Sequence, residues 1–205
     1  MTIRLSNAGK RFNRDWVFKG VTYSFSAGET YAITGANGSG KSTLLQVLAG
    51  SLGVSKGEIA WDLGKKVVDS NDVFKFLAIA APYIEVIEEM TAVEFLAFHQ
   101  QFKPLTGGVT IPQILSIIGL DKAANKQIRY YSSGMKQRVK LAQAVFSAAP
   151  LLLLDEPCTN LDAAGFDLYR RLINDFAGHK TIIVSSNDIN EYSFCRNVIN
   201  IMEYK

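Results

Sequence analysis

Cysteine and histidine are scarce, two of each in 205 residues. Cys158 and Cys195 supply neither a disulfide framework nor metal-ligand spacing, which suits a reducing compartment, and both read as packed or free thiols. His99 and His179 fit ordinary surface or half-buried positions. Long apolar runs are missing too. The longest, Ala148 to Leu154, contains Pro150 and falls far short of the roughly 20 residues that span a bilayer, so it reads as a buried strand. Met1 to Ser6 lack the apolar centre of a signal peptide, so a chain soluble by itself is expected. The net charge of +3 is small and evenly spread, which gives no reason to expect nucleic acid as a partner. Repeats, low-complexity tracts and long linkers are absent. What is present is a 48% apolar chain, enough for one large domain or a domain with an inserted lobe.

Strand and helix signals alternate at both ends, predicting a mostly parallel sheet covered by helices. Thr2 to Leu5, Val17 to Phe25 and Gly57 to Trp61 read as strands, the first two forming a small antiparallel sheet, and Phe76 to Ala80 as another. Thr91 to Phe102 and Ile111 to Ile118 read as helices, separated by Pro104 and the Gly107-Gly108 pair. They suggest a helical lobe over 82–130 inserted into a core made of 1–81 and 131–205. Sheet signals return at Leu151 to Leu154 and Thr181 to Ser185, with a helix over Ala163 to Phe176 between them and a last strand near Val198 to Met202.

Between the strand Thr30 to Ile33 and the helix that begins near Leu44 lie Gly35, Ala36, Asn37, Gly38, Ser39, Gly40, Lys41, Ser42 and Thr43. This is a phosphate-binding loop in its required context. Three glycines let consecutive N–H groups turn inward around a phosphate at the positive end of a helix. Lys41 supplies a mobile charge for the outer phosphates, and the Ser42 hydroxyl is a ligand for Mg²⁺. The strand ending in Asp155-Glu156 provides the other half: Asp155 can hold Mg²⁺ opposite Ser42, and Glu156 can orient or deprotonate water. Gly35, Asp155 and Ser186 thus fall at strand ends facing one crevice.

Tyr131-Ser132-Ser133-Gly134-Met135 opens a further helix, and here the chain resembles the ATP-binding-cassette (ABC) ATPases. Their L-S-G-G-Q signature keeps Ser132 and Gly134 in this sequence, with Tyr131, Ser133 and Met135 elsewhere, a variant similar to exporter-type members. The resemblance runs nearly the whole chain in the family's order. It implies an α/β P-loop (RecA-like) core with an antiparallel β subdomain and an inserted helical subdomain, and ATP with Mg²⁺ as the ligands. By the same resemblance Phe12 stacks on adenine, and Thr159 to Asp162 form the D-loop at a dimer interface beside Glu156. Two such domains pack head to tail, each ATP lying between one phosphate loop and the other protomer's signature. The implied role is the ATPase subunit of an ABC transporter, peripheral at the cytoplasmic face of the inner membrane, acting on a separate transmembrane subunit docked near Pro82 to Met90, where Tyr83, Ile84, Val86 and Ile87 are apolar. Its size is also similar to the haem-exporter ATPase of cytochrome maturation.

Two positions depart from the family. The Q-loop glutamine aligns near Pro82, with Glu85 the nearby residue able to substitute, and the switch histidine aligns with Asn187, whose amide donates without charge. Slow but real hydrolysis is therefore expected. Two other readings compete: a soluble ABC assembly factor, and an ATP-gated binding module whose hydrolysis is vestigial.

Overall fold

The computed structural model describes residues 1–106 and 108–205; Gly107, half of the expected glycine pair, lies outside them. The chain opens with strands β1 (Thr2–Phe12) and β2 (Asp15–Phe25), turned at Asn13, then β3 (Thr30–Thr34) and helix α1 (Lys41–Leu48). Next come β4 (Lys56–Leu63), β5 (Lys66–Val68) and β6 (Leu77–Ala80), then α2 (Ala92–Phe102), α3 (Ile111–Ile117) and α4 (Ser133–Val145). The last elements are β7 (Leu151–Asp155), α5 (Ala163–Leu172), β8 (Thr181–Ser185), the single turn α6 (Ile189–Tyr192) and β9 (Asn197–Asn200).

Two sheets result, an antiparallel one in the order β2-β1-β4-β5 and a parallel one in the order β6-β7-β8-β3-β9. The parallel sheet divides two cores. Leu151 and Leu153 of β7 point toward the antiparallel sheet and toward Leu44, Leu45 and Leu48 of α1, whereas Leu152 and Leu154 join Val139 and Ala142 of α4 and Leu96 of α2. Period-two alternation explains why β7 is apolar at four successive positions: both of its faces are covered.

Register fixes where the sheet ends. Asp155 lies opposite Ser185, and Ser185 lies opposite Ile33, so β7, β8 and β3 terminate at one level. Their following loops therefore share one edge, the carboxyl edge at which open α/β sheets take ligands.

The helices begin where capping chemistry allows. Thr91 caps α2 through a reciprocal box, its N–H donating to Glu94 Oε2 at 2.8 Å while Glu94 N–H donates to Thr91 Oγ1 at 3.2 Å. Ser132 and Asp162 cap α4 and α5 by accepting from the N–H groups of Met135 and Gly165. Several boundaries differ from the sequence reading. β1 continues to Phe12, and the short hairpin partner β5 was not anticipated. Phe76 ends a 3₁₀ turn instead of starting β6, and the helix from Ala163 widens into a π turn at Ile173–Ala177. The expected last strand to Met202 stops at Asn200, whose side chain accepts from Met202 N–H at 3.1 Å and turns the chain into a 3₁₀ turn over Ile201–Tyr204.

Candidate functional site

The loop after β3 is shaped by left-handed glycines. Gly35, Gly38 and Gly40 have φ of 145°, 75° and 100°, and a Cβ on Gly40 would sit 2.3 Å from Val17 Cγ1. Inside the loop Ser39 N–H donates to Ala36 O at 3.0 Å, and Lys41 Nζ donates to Gly35 O at 2.9 Å and Ala36 O at 3.3 Å. Lys41 is buried, its ammonium held by the loop's own carbonyls at the place a phosphate oxygen would claim it. The crevice is lined by Phe12, Val17, Asn37 to Thr43 and Glu156. Phe12 is 49% exposed at its mouth, with the Lys10 ammonium 5.3 Å from the ring centroid.

Asp155 ends β7 fully buried, and its Oδ1 has no hydrogen-bond partner. An orphaned carboxylate oxygen is costly unless something meets it, and a hard cation is the natural partner. No cluster of three or more His, Cys, Asp or Glu able to hold a metal exists among the described residues. Glu156 follows with φ 43°, left-handed for a non-glycine residue, its N–H donating to Ser185 O at 2.9 Å. Such strain collects at functional sites and persists only where neighbours enforce it. The Glu156 side chain is exposed toward the crevice.

Asn187 follows β8, and its Nδ2 donates to Asn37 Oδ1 of the phosphate loop at 2.7 Å. Glu85 does not line this crevice; it faces a separate groove with Lys136 and Lys140. Tyr83 is the residue of that segment that senses Asp155: burial raises its pKa first, the Gln46 amide opposes, and the Asp155 carboxylate adds to the rise. Gln46 lies four residues after Ser42, on the same face of α1, a neighbour the sequence reading missed. Val86 is buried in the core, whereas Tyr83 and Ile87 are exposed, which narrows the apolar surface of this segment. His99 pairs with Gln143 and His179 is exposed; neither lines the crevice.

The signature forms a second crevice. Ser132, Ser133, Gly134 and Met135 line it together with Asn160, Leu161 and Asp162, and no residue is common to the two crevices. Gly134 is small for a reason: a Cβ there would lie 3.1 Å from Asn160 O. Asp162 serves as the cap of α5, accepting from Gly165 N–H at 2.8 Å. Gln137, buried on α4, donates to Pro157 O at 2.7 Å and so ties the signature helix to the Glu156 turn, a link the sequence did not reveal.

The fold and the glycine loop define a P-loop NTPase with an added antiparallel sheet. Residues 18–159 match the family model of the ABC transporter ATP-binding domain. The chain belongs to the ABC transporter family. It is 33% identical over 185 residues to the uncharacterized ABC transporter ATP-binding protein YxlF of Bacillus subtilis, a match covering 89% of this chain and 61% of that relative. It is 35% identical over 167 residues to the cytochrome c biogenesis ATP-binding export protein CcmA of Xanthomonas campestris, covering 79% of this chain and 75% of CcmA. Among solved structures, a putative ABC transporter ATP-binding protein from Pyrococcus furiosus superposes with a TM-score of 0.82 at 22% identity over all of both chains. The dimeric post-hydrolysis state of the cassette MJ0796 bound to ADP and Pi superposes with 0.78 at 25% identity, covering 97% and 94%. Membership carries ATP binding and hydrolysis as the family's activity. No helix among the described residues is long and apolar enough to cross a membrane.

Proposed function

We propose that this chain is the ATP-hydrolysing subunit of a transporter, closed by ATP into a head-to-tail dimer and acting on a separate membrane subunit from the cytoplasmic face of the inner membrane. The observation that carries this reading is the separation of the two crevices: phosphate loop and signature share no residue, so one chain presents two half-sites. A second ABC domain, the same chain or a homologue, would bring its Ser132 to Met135 over the nucleotide held by Gly35 to Thr43. The dimeric state of MJ0796 and the names of YxlF and CcmA support it. In this reading 82–130 forms a helical subdomain and 1–81 with 131–205 the nucleotide-binding core.

Phe12 would take the adenine face, the loop N–H groups and Lys41 the phosphates, and Ser42 and Asp155 would hold Mg²⁺, whose charge would offset that of the phosphate oxygens. Glu156 accepts the proton of the attacking water, and Asn187 donates toward the terminal phosphate. Hydrolysis is slow because Pro82 and Asn187 stand where the family has a glutamine and a histidine. The test is Mg²⁺-dependent ATP hydrolysis by the purified chain and by Glu156→Gln across protein concentrations. Activity rising more than linearly with concentration, and falling about 100-fold or more in the variant, is expected. Equal activity in both chains would contradict the assignment of Glu156.

A further inference from the structure

Glu191 is the buried carboxylate to which neither the sequence pattern nor the roles above assign work. It lies on α6, is 5% exposed, and has no cationic partner within 4.0 Å among the described residues. Its partners are instead parts of the two catalytic turns. Oε1 accepts from Cys158 N–H at 2.7 Å, two residues beyond Glu156. On the other side Glu191 N–H donates to Asp188 O at 3.0 Å, and Asp188 N–H donates to Ser186 Oγ at 2.9 Å, so the residue is fixed to the turn that follows β8. Behind them the Tyr169 hydroxyl donates to Glu191 O at 2.8 Å and anchors α6 to α5. Burial raises the Glu191 pKa, Ser186 and the Cys158 N–H pull it back, and Asp188 and Glu156 push it up again.

A side chain that keeps a buried charge-bearing group without a cation must repay desolvation through hydrogen bonds. Here the carboxylate reaches the Glu156 turn through Cys158 N–H, while the Glu191 main chain belongs to the turn after β8. The Glu156 turn has φ 43° and needs external enforcement, which Glu191 shares with Gln137 at Pro157 O and with Ser185 O, the acceptor of Glu156 N–H. We propose that Glu191 is a positioning residue for hydrolysis: it clamps the turn that carries Glu156 to the turn that presents Asn187, so that the base and the phosphate-facing amide keep one spacing. The proposal rests on the assignment of Glu156 as base. Glu191 is absent from the phosphate-loop crevice and lines the adjoining cavity with Asn37, Glu156 and Asn187.

The experiment compares the full wild-type chain with Glu191→Ala and Glu191→Gln in ATP hydrolysis, ATP affinity and amide hydrogen exchange at Cys158. Loss of one hydrogen bond to a charged group predicts a kcat about 10- to 100-fold lower in Glu191→Ala, with KM and ATP affinity within about twofold. Exchange at the Cys158 N–H should quicken about tenfold or more in the same variant. Glu191→Gln keeps an oxygen for Cys158 N–H and restores most of both readouts. Unchanged kcat and exchange in Glu191→Ala, or a Glu191→Gln as impaired as the alanine, would overturn the clamp while leaving an active wild type and its assigned function intact. A wild type with no hydrolysis would overturn both. If Glu191→Ala does not fold, Glu191→Asp shortens the reach to Cys158 N–H, and a kcat and a Cys158 exchange rate equal to wild type there overturn the clamp.

Discussion

At the scale of residues, the departures from the family matter most where charge was removed. Asn187 follows β8 and donates to Asn37 of the loop after β3, and the proposed reading gives its neutral amide the phosphate-facing role. A cationic or strongly polarised donor at that point would bind developing charge better, by roughly 1.5 to 3 kcal/mol for a charge-assisted contact. Asn187→His should therefore raise kcat about tenfold, measured as phosphate release at saturating ATP. No gain would mean that another group sets the rate.

Elements show what the sequence could and could not disclose. The phosphate loop was legible because its glycines, Lys41 and Ser42 are needed by chemistry within nine consecutive positions. β7 was legible because both faces are buried, which writes a continuous apolar run before Asp155. β5 was hidden: a three-residue edge strand is too short for a period to register. Glu191 and Gln137 were hidden for another reason, since their partners lie 33 and 20 positions away and only tertiary packing brings them together. Lys180 belongs to the same class. Fully buried, it donates to Val145 O at 2.7 Å and to Ser147 O at the end of α4. Burial outweighs those carbonyls and lowers its pKa to about 8. Between that value and the roughly 10.4 of an unfolded lysine, the unfolded chain binds more protons, so stability from this group rises with pH. Below about 8 both states are protonated and the dependence vanishes. Urea unfolding of wild type against Lys180→Met should thus favour the wild type by about 1 to 2 kcal/mol more at pH 10 than at pH 7. The thiols of Cys158 and Cys195, pushed upward by burial, act in the opposite direction above pH 9 but cancel in the difference. A flat difference would mean that Lys180 titrates normally.

For the molecule as a whole, the proposed reading divides a complete nucleotide site between two surfaces. The crevice of Lys41 and Glu156 lacks the signature donors, and the crevice of Ser132 and Gly134 lacks a phosphate loop. Gln137 on Pro157 O links the helix that Ser132 caps to the Glu156 turn. In the proposed dimer, closure over ATP would be felt at Glu156 through that link. Val86 is buried in the core while Tyr83 and Ile87 stay exposed in the segment after β6. The most direct measurement is the solution mass of Glu156→Gln by light scattering, with and without Mg²⁺-ATP, against the same variant carrying Gly134→Trp. The account predicts a shift from 22.6 kDa to about twice that mass on adding ATP, abolished when Gly134 is filled. ATP bound to a chain that stays at its monomer mass at every concentration, or a dimer indifferent to Gly134, would contradict it.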